Sequence, residues 1–308
     1  MDPSATPSSL AKRFDPKVLA LLGGLDLKAR YVVEGFLAGL HEGPFHGFSV
    51  EFSEYREYQP GDDLRHIDWR VFARTDRLYV KEFTQETNTR FYVICDTSGS
   101  MAYRGRTAWG SKLEYAQLLA AALTLLMLRQ NDAVGLLTLR DDGATPKFIR
   151  PSQKSHHFGL MLRSLERLAP AGGGSRLAAL LEHAARLIHR RSMIVFLSDL
   201  LEPAETLVEG LRQLRFLGHE CLLFQVLDRD EVDFPFEEAA TFEDLESGQR
   251  RRVSPRAARE RYLERFAAFM AAHRDLFQTL EIPHCVIRTD DDPWQGLAKF
   301  LVERKRLR

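Results

Sequence analysis

The sequence predicts an α/β protein with a doubly wound, mostly parallel, Rossmann-like sheet, a small β-rich appendage and an N-terminal helical segment. Three observations predict it. Residues 91–95 (F-Y-V-I-C) are apolar without alternation, the pattern of a strand buried on both faces of a parallel sheet. Further strand candidates at 133–139, 192–198, 220–227 and 284–289 alternate with helix-length stretches, which argues for right-handed β-α crossovers. Residues 43–90 break that rhythm by mixing glycine, aromatics and charges.

Taken in order, residues 1–42 form a tail and helices. Residues 15–40 are helix-like but interrupted at Gly23-Gly24, and the second piece can place Tyr31, Phe36, Leu37 and Leu40 on one face. Within 43–90, Phe48, Val50 and Phe52 alternate with polar residues, Leu78, Val80 and Phe83 suggest a second extended stretch, and Pro60-Gly61 marks a turn. The third unit, 91–308, carries the β-α repeat. Helices are expected at 112–129, 155–168, 176–190 and 203–217, with 147–150 as a hairpin partner of 133–139. Residues 231–253 form a hairpin excursion around Ser247-Gly248, and 43–90 is expected to pair with its 241–253 portion as the appendage. A helix from Ser254, a candidate cap before Pro255, runs to about 280. Tyr262, Phe266, Phe269, His273, Leu276 and Leu280 are spaced as one buried stripe, His273 being a flank of it and not a ligand. A last strand and a helix from Pro293 close the chain, with Asp290, Asp291 and Asp292 reading as an acidic capping turn.

Composition narrows the partners. The 308 residues hold 43 Lys plus Arg and 43 Asp plus Glu, so no global charge points to nucleic acid or an anionic membrane. Cys95, Cys221 and Cys285 lie far apart in apolar segments, without metal-ligand spacing, and read as buried free thiols of a reducing compartment. The start, M-D-P-S-A-T-P-S-S-L, does not resemble a secretory signal. The most apolar helix candidate, 115–128, is shorter than the roughly 20 residues a bilayer requires. The expectation is a cytoplasmic protein without a membrane span.

The chemistry concentrates at D-T-S-G-S, residues 96–100, where the first buried strand ends. Asp96, Ser98 and Ser100 are spaced two apart in a tight loop at the carboxyl edge of the sheet, where open α/β sheets place their ligands. Ser175, after a triple glycine, and Asp199, ending the strand at 192–198, belong to the same edge. Two carboxylates and three hydroxyls suit a hard divalent cation, Mg²⁺ or Mn²⁺, and would leave it electrophilic, with a position open to a further carboxylate.

This set, D-T-S-G-S with a hydroxyl after a glycine-rich loop and a later S-D, resembles the metal-ion-dependent adhesion site of von Willebrand factor type A domains. The resemblance implies that Ser98 and Ser100 bind the ion directly, with Ser175 in place of the usual threonine, and that Asp96 and Asp199 act directly or through water. It also implies a partner's acidic side chain on the ion and no bond chemistry. Upstream, F-S-E-Y-R-E-Y-Q-P-G-D-D-L-R-H-I-D-W-R-V-F-A-R-T-D-R-L-Y-V-K-E-F is similar to the signature of the bacterial domain-of-unknown-function 58 family. That resemblance implies partnership with a MoxR-type AAA+ ATPase and its coupling to client proteins, and together with the adhesion-site resemblance a client that offers Asp or Glu to the metal. In the same stretch, Asp62, Asp63 and Asp68 read as a solvated turn, and Tyr58 and Trp69 as core.

Two other functions compete. A Mg²⁺-dependent phosphohydrolase would need a second carboxylate two residues after Asp96, where Ser98 stands. No nucleophile elbow and no P-loop is present. A structural module with a lost metal site is the other alternative. The expectation is a non-enzymatic adaptor.

Overall fold

The computed structural model describes residues 19, 21–42, 55–57, 79–81, 90–139, 145–171 and 177–307. Its centre is a six-stranded sheet of β3 (Arg90–Cys95), β4 (Ala133–Leu139), β5 (Pro146–Ser152), β6 (Met193–Ser198), β7 (Glu220–Leu227) and β10 (His284–Arg288), in the order β10-β7-β6-β3-β4-β5. All neighbours are parallel except β4 and β5, the expected hairpin pair. Counted among these six alone, the order is 3-2-1-4-5-6, the doubly wound order in which chain direction across the sheet reverses beside the first strand. The reversal falls between β3 and β6, whose carboxyl ends carry Asp96 and Asp199.

Alternate β3 residues feed two cores. Phe91, Val93 and Cys95 face α1 (Leu25–Glu42), α2 (Lys112–Arg129), α3 (His157–Glu166) and α8 (Pro293–Leu307). Tyr92 and Ile94 face α4 (Leu177–Leu187), α5 (Ala204–Phe216) and the end of α7 (Pro255–Thr279). Because α2 lies between the sheet and other helices, it is buried almost all round, which explains an apolar composition that is not a membrane signal. No helix among the described residues is long and apolar enough to cross a membrane. Ser111 and Glu114 start α2 as a capping box: Glu114 N donates to Ser111 Oγ at 3.2 Å and Ser111 N to Glu114 Oε2 at 2.7 Å. Its first residue, Lys112, thereby enters the core at the sheet's carboxyl edge.

Three expectations are corrected. Among the described residues, β1 (Tyr55–Glu57) and β2 (Tyr79–Lys81) form one two-stranded sheet, and β8 (Ala240–Glu243) and β9 (Arg250–Val253) another. Among the described residues the two are separate sheets and not one appendage, and most of 43–90 lies outside the described residues. The β8–β9 hairpin closes on its own turn, where Gly248 has φ +69° and donates to Asp244 O at 2.7 Å. Its β9 strand carries exposed Arg250, Arg251 and Arg252, charges that discourage a further strand. Ser254 stands at the α7 N-cap without a side-chain capping bond, although Pro255 does open the helix. Of the α7 stripe, His273 and Leu280 are buried, whereas Tyr262, Phe266, Phe269 and Leu276 are half-exposed. The first half of α7 rests on Phe234, which follows α6 (Arg229–Asp233), with the Tyr262 ring stacked 4.4 Å away. Periodicity marks which face is apolar, but not how far the sheet beneath it extends.

Candidate metal centre

The site begins with the sheet's hydrogen-bond ladder. Asp96 N donates to Leu197 O at 2.9 Å, which extends the β3–β6 pairing by one residue and delivers the carboxylate to the reversal point. Asp96 Oδ1 accepts the Ser98 amide at 2.9 Å, and Oδ2 accepts the Ser198 hydroxyl at 2.5 Å. The Asp96–Ser98 bond closes a turn into a 3₁₀ helix, Gly99–Ala102, with Ser98 at its N-cap. Ser98 does not spend its hydroxyl on the cap. It lies 3.1 Å from Ser100 Oγ instead. Asp96, Ser98 and Ser100 are therefore brought together as the sequence predicts, and all three are buried.

Asp199 sits beside them, but its carboxylate has a partner that sequence reasoning missed. Lys112, fully buried, donates from Nζ to Asp199 Oδ2 at 2.8 Å and to Glu231 Oε1 at 2.6 Å. Burial alone would push this ammonium down. The charges and hydrogen bonds of Asp199 and Glu231 outweigh it and hold Lys112 above the ordinary lysine range. Asp199 Oδ1 accepts Leu201 N at 3.3 Å, and Gln225 Nε2 donates to Asp199 O at 3.0 Å. Leu200, between them, has φ +57°, a left-handed turn held by its amide donating to Ser198 Oγ at 3.0 Å. Burial, and secondly the charge of Asp199, push the Asp96 carboxyl up to about 6, against the hydrogen bonds from Ser198 and Ser98.

Ser175 lies outside the described residues, as do Tyr58, Asp62, Asp63, Asp68 and Trp69. The chain on either side of Ser175 is anchored close to the site. Ala171 N donates to Thr97 O at 2.8 Å in a parallel bridge beside Ser98, and Leu177 N donates to the buried Glu202 carboxylate at 2.6 Å. A second unforeseen contributor is the β8–β9 hairpin, where Glu246 Oε1 accepts the Ser100 amide at 2.8 Å.

The donor set fits a hard cation. It offers oxygen only, two adjacent hydroxyls not used for capping, and a buried carboxylate whose ionisation is costly without a positive neighbour. Ser98, Ser100 and Asp96 would hold such an ion. Asp199 would contribute while sharing its charge with Lys112. Among the described residues, no group of three His, Cys, Asp or Glu is arranged to hold a metal, here or elsewhere, so the candidate site rests on its hydroxyls as much as on its carboxylates. Cys95 and Cys221 are buried thiols, and Cys285 is partly buried. Asp290 and Asp291 pair with Arg288, so the acidic turn is an ion-paired corner.

A family model described as a protein of unknown function, DUF58, matches residues 54–275. An uncharacterized protein of Mycobacterium tuberculosis, Rv1480, is 33% identical over 300 residues, covering 95% of this chain and 91% of that protein. YeaD of Bacillus subtilis is 29% identical over 111 residues, covering 36% of this chain and 24% of that protein. Among solved structures, an aerotolerance-related membrane protein from Bacteroides fragilis aligns with a TM-score of 0.48 at 16% identity, covering 70% of this chain and 97% of that one. The SpRpn10 VWA domain aligns with a TM-score of 0.38 at 9% identity, covering 68% of this chain and 93% of that one.

Proposed function

The chain belongs to the DUF58 family, and from that premise we propose that it is a non-enzymatic, divalent-cation-dependent protein-interaction adaptor working with a MoxR-type AAA+ ATPase on client complexes. The observation that carries this reading is the convergence of Asp96, Ser98 and Ser100 at the sheet's reversal point, with Asp199 adjacent. Bound there, Mg²⁺ or Mn²⁺ would supply an electrophilic position for one more carboxylate. Asp96 supplies charge and the two hydroxyls supply neutral oxygen. Lys112 offsets much of the negative charge of Asp199 and Glu231, which keeps the site attractive to an incoming Asp or Glu of a client. A hydrolase reading is less well supported: among the described residues, the Ser98 hydroxyl meets Ser100 and Asp96 with no histidine among its hydrogen-bond partners, and no carboxylate stands two residues after Asp96.

The experiment is a pull-down with wild type and a Ser98→Ala/Ser100→Ala variant, with and without chelator, using a MoxR-type ATPase and its associated proteins as prey. Client capture should fall with chelator and with the substitutions, while ATPase binding survives if it uses the upstream signature. Capture indifferent to both would remove the metal from the function.

A further inference from the structure

We propose that the β8–β9 hairpin is a built-in acidic occupant of the metal face, with Glu246 standing where a partner's carboxylate would arrive. The inference rests on the metal-site reading above and specifies how the site is regulated. Glu246 is 146 residues beyond Ser100, yet its Oε1 accepts the Ser100 backbone amide at 2.8 Å. The approach is close along a second line. A Cβ added to Gly99 would lie 2.3 Å from Leu245 O and 3.2 Å from Glu246 Oε2, so the hairpin turn is seated directly on the D-x-S-x-S loop, at a residue whose missing side chain permits it.

The hairpin is preorganised to present this carboxylate. Asp244 accepts the Glu246 amide at 3.0 Å and the Ser247 hydroxyl at 2.5 Å, and Gly248 takes the left-handed conformation that completes the turn. These contacts hold Asp244 below the ordinary carboxylate range, the Ser247 hydroxyl contributing most. Among the described residues the hairpin's sheet has two strands and is separate from the central sheet. Phe242 anchors the hairpin's base against Phe234 and Phe236, so the turn's seat on the loop can be exchanged for another contact without releasing the hairpin itself. A client carboxylate entering the site must displace Glu246 from Ser100 or share the loop with it. The hairpin therefore acts as an intramolecular competitor that raises the threshold for client binding.

The test uses Mn²⁺ alone and then acetate as the carboxylate probe, followed by water-proton relaxation of protein-bound Mn²⁺, in wild type, Glu246→Ala and Glu246→Gln. Loss of a charge-assisted contact corresponds to roughly a tenfold change in a competing affinity. Acetate should therefore bind the Mn²⁺-loaded Glu246→Ala protein about tenfold more tightly than wild type. Glu246→Gln, whose amide oxygen still accepts from Ser100, should fall between them. Hydrogen exchange across residues 97–102 and 244–249, which needs no metal, should quicken in Glu246→Ala. Equal acetate affinity in all three proteins, with unchanged exchange, overturns the hairpin's role while leaving the metal site intact. A wild type and Glu246→Ala that both fail to bind Mn²⁺ overturn the metal reading itself, and the competition with it.

Discussion

Replacing Lys112 with methionine should be among the most costly single changes outside the apolar core. The ammonium is fully buried between Asp199 Oδ2 at 2.8 Å and Glu231 Oε1 at 2.6 Å, and Asp199 is itself fully buried. Methionine fills a similar volume, so little of the effect comes from a cavity. What remains is two carboxylates facing each other without a cation, and truncating one partner of a buried ion pair costs about 3–5 kcal/mol. The remaining donors, Leu201 N to Asp199 and Asp228 N to Glu231 at 2.8 Å, soften the loss and favour the lower end of that range. At roughly 2–4 °C per kcal/mol for a domain of this class, Tm should fall by about 6–12 °C. Urea unfolding followed by circular dichroism in excess chelator measures this without interference from bound cation. A Lys112→Met/Asp199→Asn double variant should recover more than about 1 kcal/mol relative to the single variant, since removing the orphaned charge relieves the penalty. A Lys112→Met protein within about 0.5 kcal/mol of wild type, or a double variant no more stable than the single one, would refute the assignment of this triad as an obligatory counter-charge.

Other outcomes follow from the same structure. Burial, then the charges of His273 and Arg274, depress the His284 imidazole to about 4, below its ordinary 6.5. Its neutral form is the one the fold accepts, so this contribution is complete above about pH 6.5 and erodes as pH falls toward 4. Wild type should lose about 2 kcal/mol between pH 7.5 and pH 5 that a His284→Gln variant does not lose, read from urea midpoints. Gly105→Ala should destabilise by about 2–3 kcal/mol, because the new Cβ would lie 2.0 Å from Asp228 Oδ1, and Asp228 also holds Thr289 Oγ1 at 2.7 Å and Asp230 N at 2.9 Å. Gly23→Ala, with nothing within 4 Å of the added carbon, should stay within about 0.5 kcal/mol of wild type. The Cys221 thiol, pushed up to about 12 chiefly by burial, should resist alkylation at pH 8 until the chain unfolds, as mass spectrometry of labelled native protein would show.

The parts legible in the sequence are those fixed by local pattern. Residues 91–95 read as a two-face-buried strand because parallel strands need apolar side chains on both faces, and the structure places that strand at the middle of the sheet. Asp96, Ser98 and Ser100 were legible because a two-residue spacing in a tight turn suffices to gather them. What was not legible depends on contacts between distant segments. The Lys112–Glu231 pair spans 119 residues, and the Glu246–Ser100 contact spans 146. Only one hint was available locally: a lysine opening an otherwise apolar helix, immediately after a capping serine, must find a buried anion or leave the core. The spacing of the α7 stripe predicts burial along its whole length, because a period of three and four residues gives the apolar face and not the length of the surface it meets.

The central claim is that Asp96 and its two serines form a divalent-cation site, and titration calorimetry of the purified chain with Mn²⁺ and Mg²⁺ tests it most directly. The wild type should bind one ion with modest affinity, since few charged ligands contribute, and a folded Asp96→Ala protein should give no binding heat. A folded wild type that binds neither ion, or binding that survives the loss of both Asp96 and Asp199, would contradict it.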